Sequence, residues 1–117
     1  MYYLIIQLFK QEYKEDLFLA FTSCGIKKAT FVEGFNLDKT LQEEFSLFKG
    51  IIPSKEQMER YSIMVHSIVE KKEDIDDLIN LLIESGIDID NEEIMRIVLL
   101  PVIRVKDSDI DWKNENL

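Results

Sequence analysis

One strand–helix–strand order occurs twice in this chain, from Tyr2 to about Phe35 and again from Tyr61 to about Val105, and it limits the fold more than any single residue does. Tyr2 to Phe9 is apolar at every position except Gln7. Both alternating sets are hydrophobic, Tyr2, Leu4, Ile6 and Leu8 on one face and Tyr3, Ile5 and Phe9 on the other, the pattern of a strand covered on both sides. Glu15 and Asp16 then favour a helix start. Leu17, Ala20, Phe21 and Cys24 follow helical spacing, Gly25 suits the residue after the helix, and Lys28 to Phe35 returns as a strand rich in β-branched and aromatic residues. In the second unit, Tyr61 to Val69 is strand-like, with Tyr61, Ile63, Val65 and Val69 on one face. Glu73, Asp74, Asp76 and Asp77 load the first turn of a helix with an Ile75, Leu78, Ile79, Leu82 stripe, which Gly86 closes. Ile94 to Lys106 is the last strand, and Pro101 inside it asks for an edge position or a bulge.

The order βαββαβ predicts an α+β, ferredoxin-like sandwich: a four-stranded antiparallel sheet with two helices on one face. Two helices cover only that face, yet the first and last strands are apolar on both. A soluble monomer rarely exposes so large an apolar surface, so the pattern itself predicts a partner subunit against the open face, unless the insert or the tail folds over it. With 117 residues, the chain has room for one domain, here placed at 1–106. A net charge of -9 disfavours nucleic acid, whose affinity for proteins comes from cations displacing counterions. The opening apolar run is too short for a membrane span and has no basic region before it, so neither membrane insertion nor a signal peptide is expected. Cys24 is the single cysteine, and an intrachain disulfide is therefore excluded, which points to the cytoplasm.

The two units are separated by a long insert, residues 36–59. Connections of this length usually carry function or structure of their own. Leu37, Leu41, Phe45, Phe48 and Ile52 recur at helical steps, and Gly50 and Pro53 would end that pattern. Two readings stand side by side: a short helix packed on the parent domain, or an arm whose apolar stripe meets a partner protein. The acidic tail, 107–117, is expected to fray, with Trp112 as its one candidate anchor.

No catalytic constellation stands out, and a non-enzymatic role is expected. His66, the sole histidine, lies in a strand without an identifiable partner for acid–base work. Cys24 falls on an apolar stripe and reads as a small buried hydrophobe. Asp88, Asp90, Glu92 and Glu93 alternate like calcium ligands but lack the glycine and the closing glutamate of such a loop, so no metal site is expected. An acylphosphatase-type enzyme on this fold would need an arginine in a phosphate-cradling loop after the first strand, where Gln11-Glu12-Tyr13 stands.

The chain also resembles the PII-like signalling proteins, the family of nitrogen regulatory protein PII, over roughly residues 2–106. YYLIIQLFKQEYKEDLFLAFTSCGIKK is similar to the opening strand and helix of the family. Thr30 and Glu33-Gly34-Phe35 resemble the approach to its long T-loop, where the insert lies, and VIRVKD (Val102 to Asp107) resembles its closing segment. The resemblance implies a regulator in nitrogen signalling, built as a homotrimer. It implies ligand sites in the clefts between subunits and T-loops that engage a transporter, channel or enzyme. Thr30, Gly34 and Phe35 would border the cleft, and Arg104 and Lys106 would offer cations to an anionic ligand. Where the family carries a glycine- and lysine-bearing phosphate loop, this chain reads IDIDNEEIM, whose carboxylates repel a triphosphate. No cofactor is therefore required, and another small anionic effector fits as well as an adenine nucleotide. A CutA-like or ACT-like ligand-binding module of the same fold is the alternative.

Overall fold

The computed structural model describes residues 1–26, 28–37 and 61–107, together with the backbone of 110–114. Its main sheet joins β1 (Tyr2–Leu8), β2 (Thr30–Phe35), β3 (Tyr61–Val69) and β4 (Met95–Pro101) in the spatial order β2-β3-β1-β4. Every pairing is antiparallel, with Leu4 opposite Ser67 and Leu99, and Phe31 opposite Val65. A 3-10 turn (Gln11–Tyr13) leads into α1 (Lys14–Ser23), and α2 (Lys72–Glu84) connects β3 to β4. The ferredoxin-like α+β sandwich is thus present, with β1 and β3 central and β2 and β4 at the edges.

One face of the sheet makes the core. Leu4, Ile6 and Leu8 from β1 and Ile63, Val65 and Val69 from β3 pack against Leu17, Ala20 and Phe21 of α1 and Ile75, Leu78 and Leu82 of α2. Alternation along a strand places every second side chain on the opposite face. There β1 presents Tyr3 and Ile5, β2 presents Val32, β3 presents Met64, His66 and Ile68, and β4 presents Val98 and Leu100. None of these joins the core cluster, and Val32, Met64 and Leu100 are 42%, 39% and 49% exposed. The continuous apolarity of β1 therefore reports two different surfaces: a core face, and a second face whose residues lie outside the core cluster.

Both helices end in the same way, for a reason visible in their sequences. Gly25 and Gly86 take φ of 68° and 88°, a region open to glycine at little cost. Each sits in a Schellman closure: Ile26 N–H donates to Phe21 C=O and Gly25 N–H to Thr22 C=O, while Ile87 N–H donates to Leu82 C=O and Gly86 N–H to Ile83 C=O. The residue after each glycine is an isoleucine that returns to the core side, Ile87 buried and Ile26 packed against the cluster.

The last strand departs from the expectation. Instead of one strand from Ile94 to Lys106, β4 stops at Pro101, and a new strand, β5 (Arg104–Asp107), begins after Val102 and Ile103. Pro101 has no N–H to continue a ladder, and Val102 N–H turns to Met1 C=O at 3.1 Å. Pro101 does lie on an edge strand, as the sequence required. The expected fraying of the tail is also corrected. Residues 110–114 form β6 (Ile110–Asn114), which pairs with β5 in a separate two-stranded ribbon. The boundary drawn at 106 accordingly runs through β5. Of the insert, Leu37 is exposed, while Leu41, Phe45, Phe48 and Ile52 lie outside the described residues. Trp112 belongs to β6, whose side chains are likewise outside them.

Candidate functional site

The β2 strand is shorter than its neighbour. Its first residue, Thr30, faces His66, whereas β3 runs on to Val69 and keeps its pairing with Tyr2 on the other side. Beside this overhang lies a cleft of about 360 Å³. The loop that brings the chain from α1 to β2 forms one wall with Gly25, Ile26 and Lys28. The other walls are the end of β3 from His66 to Val69, the Glu70-Lys71 turn with Asp74 at the start of α2, and Asp107 from β5. In the loop before β2, Lys28, like Gly25, adopts a left-handed conformation (φ 57°), a setting uncommon for a residue with a side chain.

The Lys28 ammonium pairs with the Asp107 carboxylate. That contact ties the end of β5 to the loop before β2, so the cleft is bridged at one rim. On its floor, the Tyr3 and His66 rings stack almost parallel, 6° apart in plane with centroids at 5.8 Å. They are diagonal neighbours across β1 and β3, a distance within reach of aromatic side chains. Lys28 and Lys71 are set against Glu70, Asp74 and Asp107, so the charge is mixed and offers no single-sign field for a highly charged anion. The aromatic floor and the strand edge suit non-covalent binding of a small, partly apolar ligand.

Two described side chains with nucleophilic atoms lie at or near the cleft, Ser67 and Cys24. The Ser67 hydroxyl donates to Ile68 C=O at 3.4 Å and belongs to the helix-covered face, opposite to the His66 ring. Cys24 is half-buried against the core, and burial first, then the Asp77 and Asp74 carboxylates, raises its thiol above the ordinary range. That is the reverse of an activated thiolate. Among the described residues no three His, Cys, Asp or Glu side chains gather as a metal site. In the acidic loop, Asp90 N–H donates to Asp88 Oδ1 and Glu93 N–H to Asn91 Oδ1, local turns that use the oxygens internally.

The residues singled out by resemblance divide between two ends of the sheet. Thr30 is exposed at the start of β2, near the cleft, and Arg104 and Lys106 are exposed on β5, alternating with half-buried Val105 and Asp107. Gly34 and Phe35 lie toward the other end, opposite Ser62 and Tyr61, roughly 15 Å along the strand from Thr30. The Phe35 ring tilts against Tyr61 at 5.1 Å. One chain does not bring the five together. Tyr3, Lys28, His66 and Asp107 were missed as a group, because only the β1–β3 register and the break after Pro101 juxtapose them. Two signals existed: a lone histidine on the second face of its strand, and a proline inside the last strand.

No described helix is long and apolar enough to cross a membrane. No protein-family model matches this sequence, and no curated protein matches it either.

Proposed function

We propose that this is a non-catalytic, PII-like regulatory protein that assembles as a trimer through the open face of its sheet. The insert, 36–59, meets a target protein, and a small anionic or partly apolar effector sits where the subunits adjoin. The observation that carries the reading is the second face of the sheet: Tyr3, Ile5, Val32, Met64, Ile68, Val98 and Leu100 line four adjacent strands outside the core cluster, with Val32, Met64 and Leu100 exposed. A face of this kind, centred on two strands, is what an obligate subunit contact requires. The split of Gly34 and Phe35 from Arg104 and Lys106 suits such an assembly, since residues at opposite ends of one chain can meet across a subunit boundary. Twenty-three acidic against fourteen basic side chains favour a protein or small-molecule partner over nucleic acid. The single cysteine accords with a cytoplasmic setting.

Sedimentation equilibrium of the full chain tests the assembly, with three times the chain mass expected. A monomer at all accessible concentrations would refute it and favour an ACT-like module or a small enzyme of this fold. Calorimetry with ATP, ADP and AMP tests the effector. Weak or absent heat is expected, since Glu70, Asp74 and Asp107 oppose a triphosphate at the cleft, whereas tight ATP binding that Arg104→Ala abolishes would place an ordinary nucleotide sensor here.

A further inference from the structure

We propose that the β5–β6 ribbon is completed by the β2 edge of a second copy of this chain, so that each protomer lends its ribbon to the sheet of the next. The inference rests on the assembly reading above and assigns one of its contacts.

A ribbon of two strands is marginally stable alone in water; a third strand or a packed face is needed. Here a four-residue strand pairs with a five-residue one, with a register shift between Val105 and Asp107. Neither strand belongs to the main sheet. Its contacts with the body include Val102 N–H donating to Met1 C=O and the Asp107–Lys28 pair. Among the described residues, its strands pair only with each other.

The main sheet offers two outer edges, and they are not equivalent. β4 ends in Pro101 and carries the exposed cation Arg96, whereas β2 carries the exposed anion Glu33. The ribbon exposes Lys106. Laid beside β4, that cation would face another cation; laid beside β2, it faces a carboxylate. Among the described residues, no ion pair engages Glu33 or Lys106. The six residues of β2 are long enough to pair with either ribbon strand, of four and five residues. Charge sets the same preference at longer range. Two copies of a chain at -9 repel, and contact is easiest where one of them presents cations. A ribbon given to the β2 edge of the next copy is a head-to-tail contact, which closes into a ring when the rotation permits.

The test uses the full chain with Cys24→Ala. One preparation adds Glu33→Cys and a second adds Lys106→Cys; after mixing, a short bis-maleimide reagent is applied. A covalent dimer containing one chain of each kind is expected, and its formation is the deciding readout. Separately, Glu33→Lys and Lys106→Glu each loosen the assembly about fivefold, and the double variant restores it. Trimers that give no mixed cross-link overturn the ribbon contact and leave the open-face assembly standing. A monomeric chain overturns both.

Discussion

Met64→Lys isolates the role of the open face. Met64 sits mid-strand in β3, opposite Gln7 and Val32, and remains 39% exposed in the single chain. Full burial of a methionine side chain contributes about 1.5–3 kcal/mol, so covering the exposed part at a subunit contact recovers about 1 kcal/mol. A lysine forfeits this gain and brings an ammonium whose desolvation costs several kcal/mol unless the side chain bends to water. With that relief, the net penalty is about 3 kcal/mol per contact, which weakens association about a hundredfold. The fold itself should not suffer, because Met64 is outside the core cluster. Sedimentation velocity of wild type and variant across a concentration series, with circular dichroism beside it, reads both effects. The expected result is a folded monomer where the wild type is an oligomer. A variant that sediments like the wild type refutes the assignment of this face, and a variant that unfolds refutes the claim that the face lies outside the core.

Three further outcomes follow from the geometry. Leu78→Ala removes a fully buried side chain between α2 and the sheet and should cost about 2–5 kcal/mol in chemical denaturation, an effect that a site free to collapse would not show. Asp107→Asn breaks the Lys28 ion pair, whose partners are 46% and 25% exposed, and should lower stability by less than about 1 kcal/mol; a larger drop in denaturation midpoint would mean that the pair holds more than the rim of the cleft. Cys24 should react slowly with iodoacetamide at neutral pH. Because burial and the neighbouring carboxylates raise the folded thiol, its neutral form is favoured, and the associated stability is present below the pKa of an unfolded thiol and lost as pH rises through the folded value. Alkylation should thus accelerate only at alkaline pH, and rapid reaction at pH 7 would contradict the burial.

The readable parts of the sequence were those governed by local chemistry. Gly25 and Gly86 announced the ends of both helices because a left-handed residue is a local demand, and the Leu17/Ala20/Phe21 and Ile75/Leu78/Leu82 stripes announced their buried faces. The two apolar sets of β1 were legible as well. What escaped was set by contacts between distant segments. The Tyr3–His66 stack depends on the register between β1 and β3, which no residue near Tyr3 encodes. The end of β4 depends on Met1 offering its carbonyl to Val102, so Pro101 alone could not say whether the strand would bulge or stop. The tail read as a polar terminus because Asp107 to Asn114 has little apolar periodicity, and its strand exists through pairing with Arg104 and Val105.

The order β2-β3-β1-β4 has a consequence for the time course of folding. The N-terminal strand is central, and both of its neighbours come from the second half of the chain, Leu4 meeting Ser67 on one side and Leu99 on the other. No tight hairpin seeds this sheet, for even β2 and β3 are joined across the insert. Such non-local pairing slows folding toward the millisecond-to-second range typical of high contact order. On the ribosome, β1 must wait with its two apolar faces unpaired until β3 emerges, and the sheet closes only with β4. The strand that organises the finished domain is therefore the segment most in need of protection while the chain is being made.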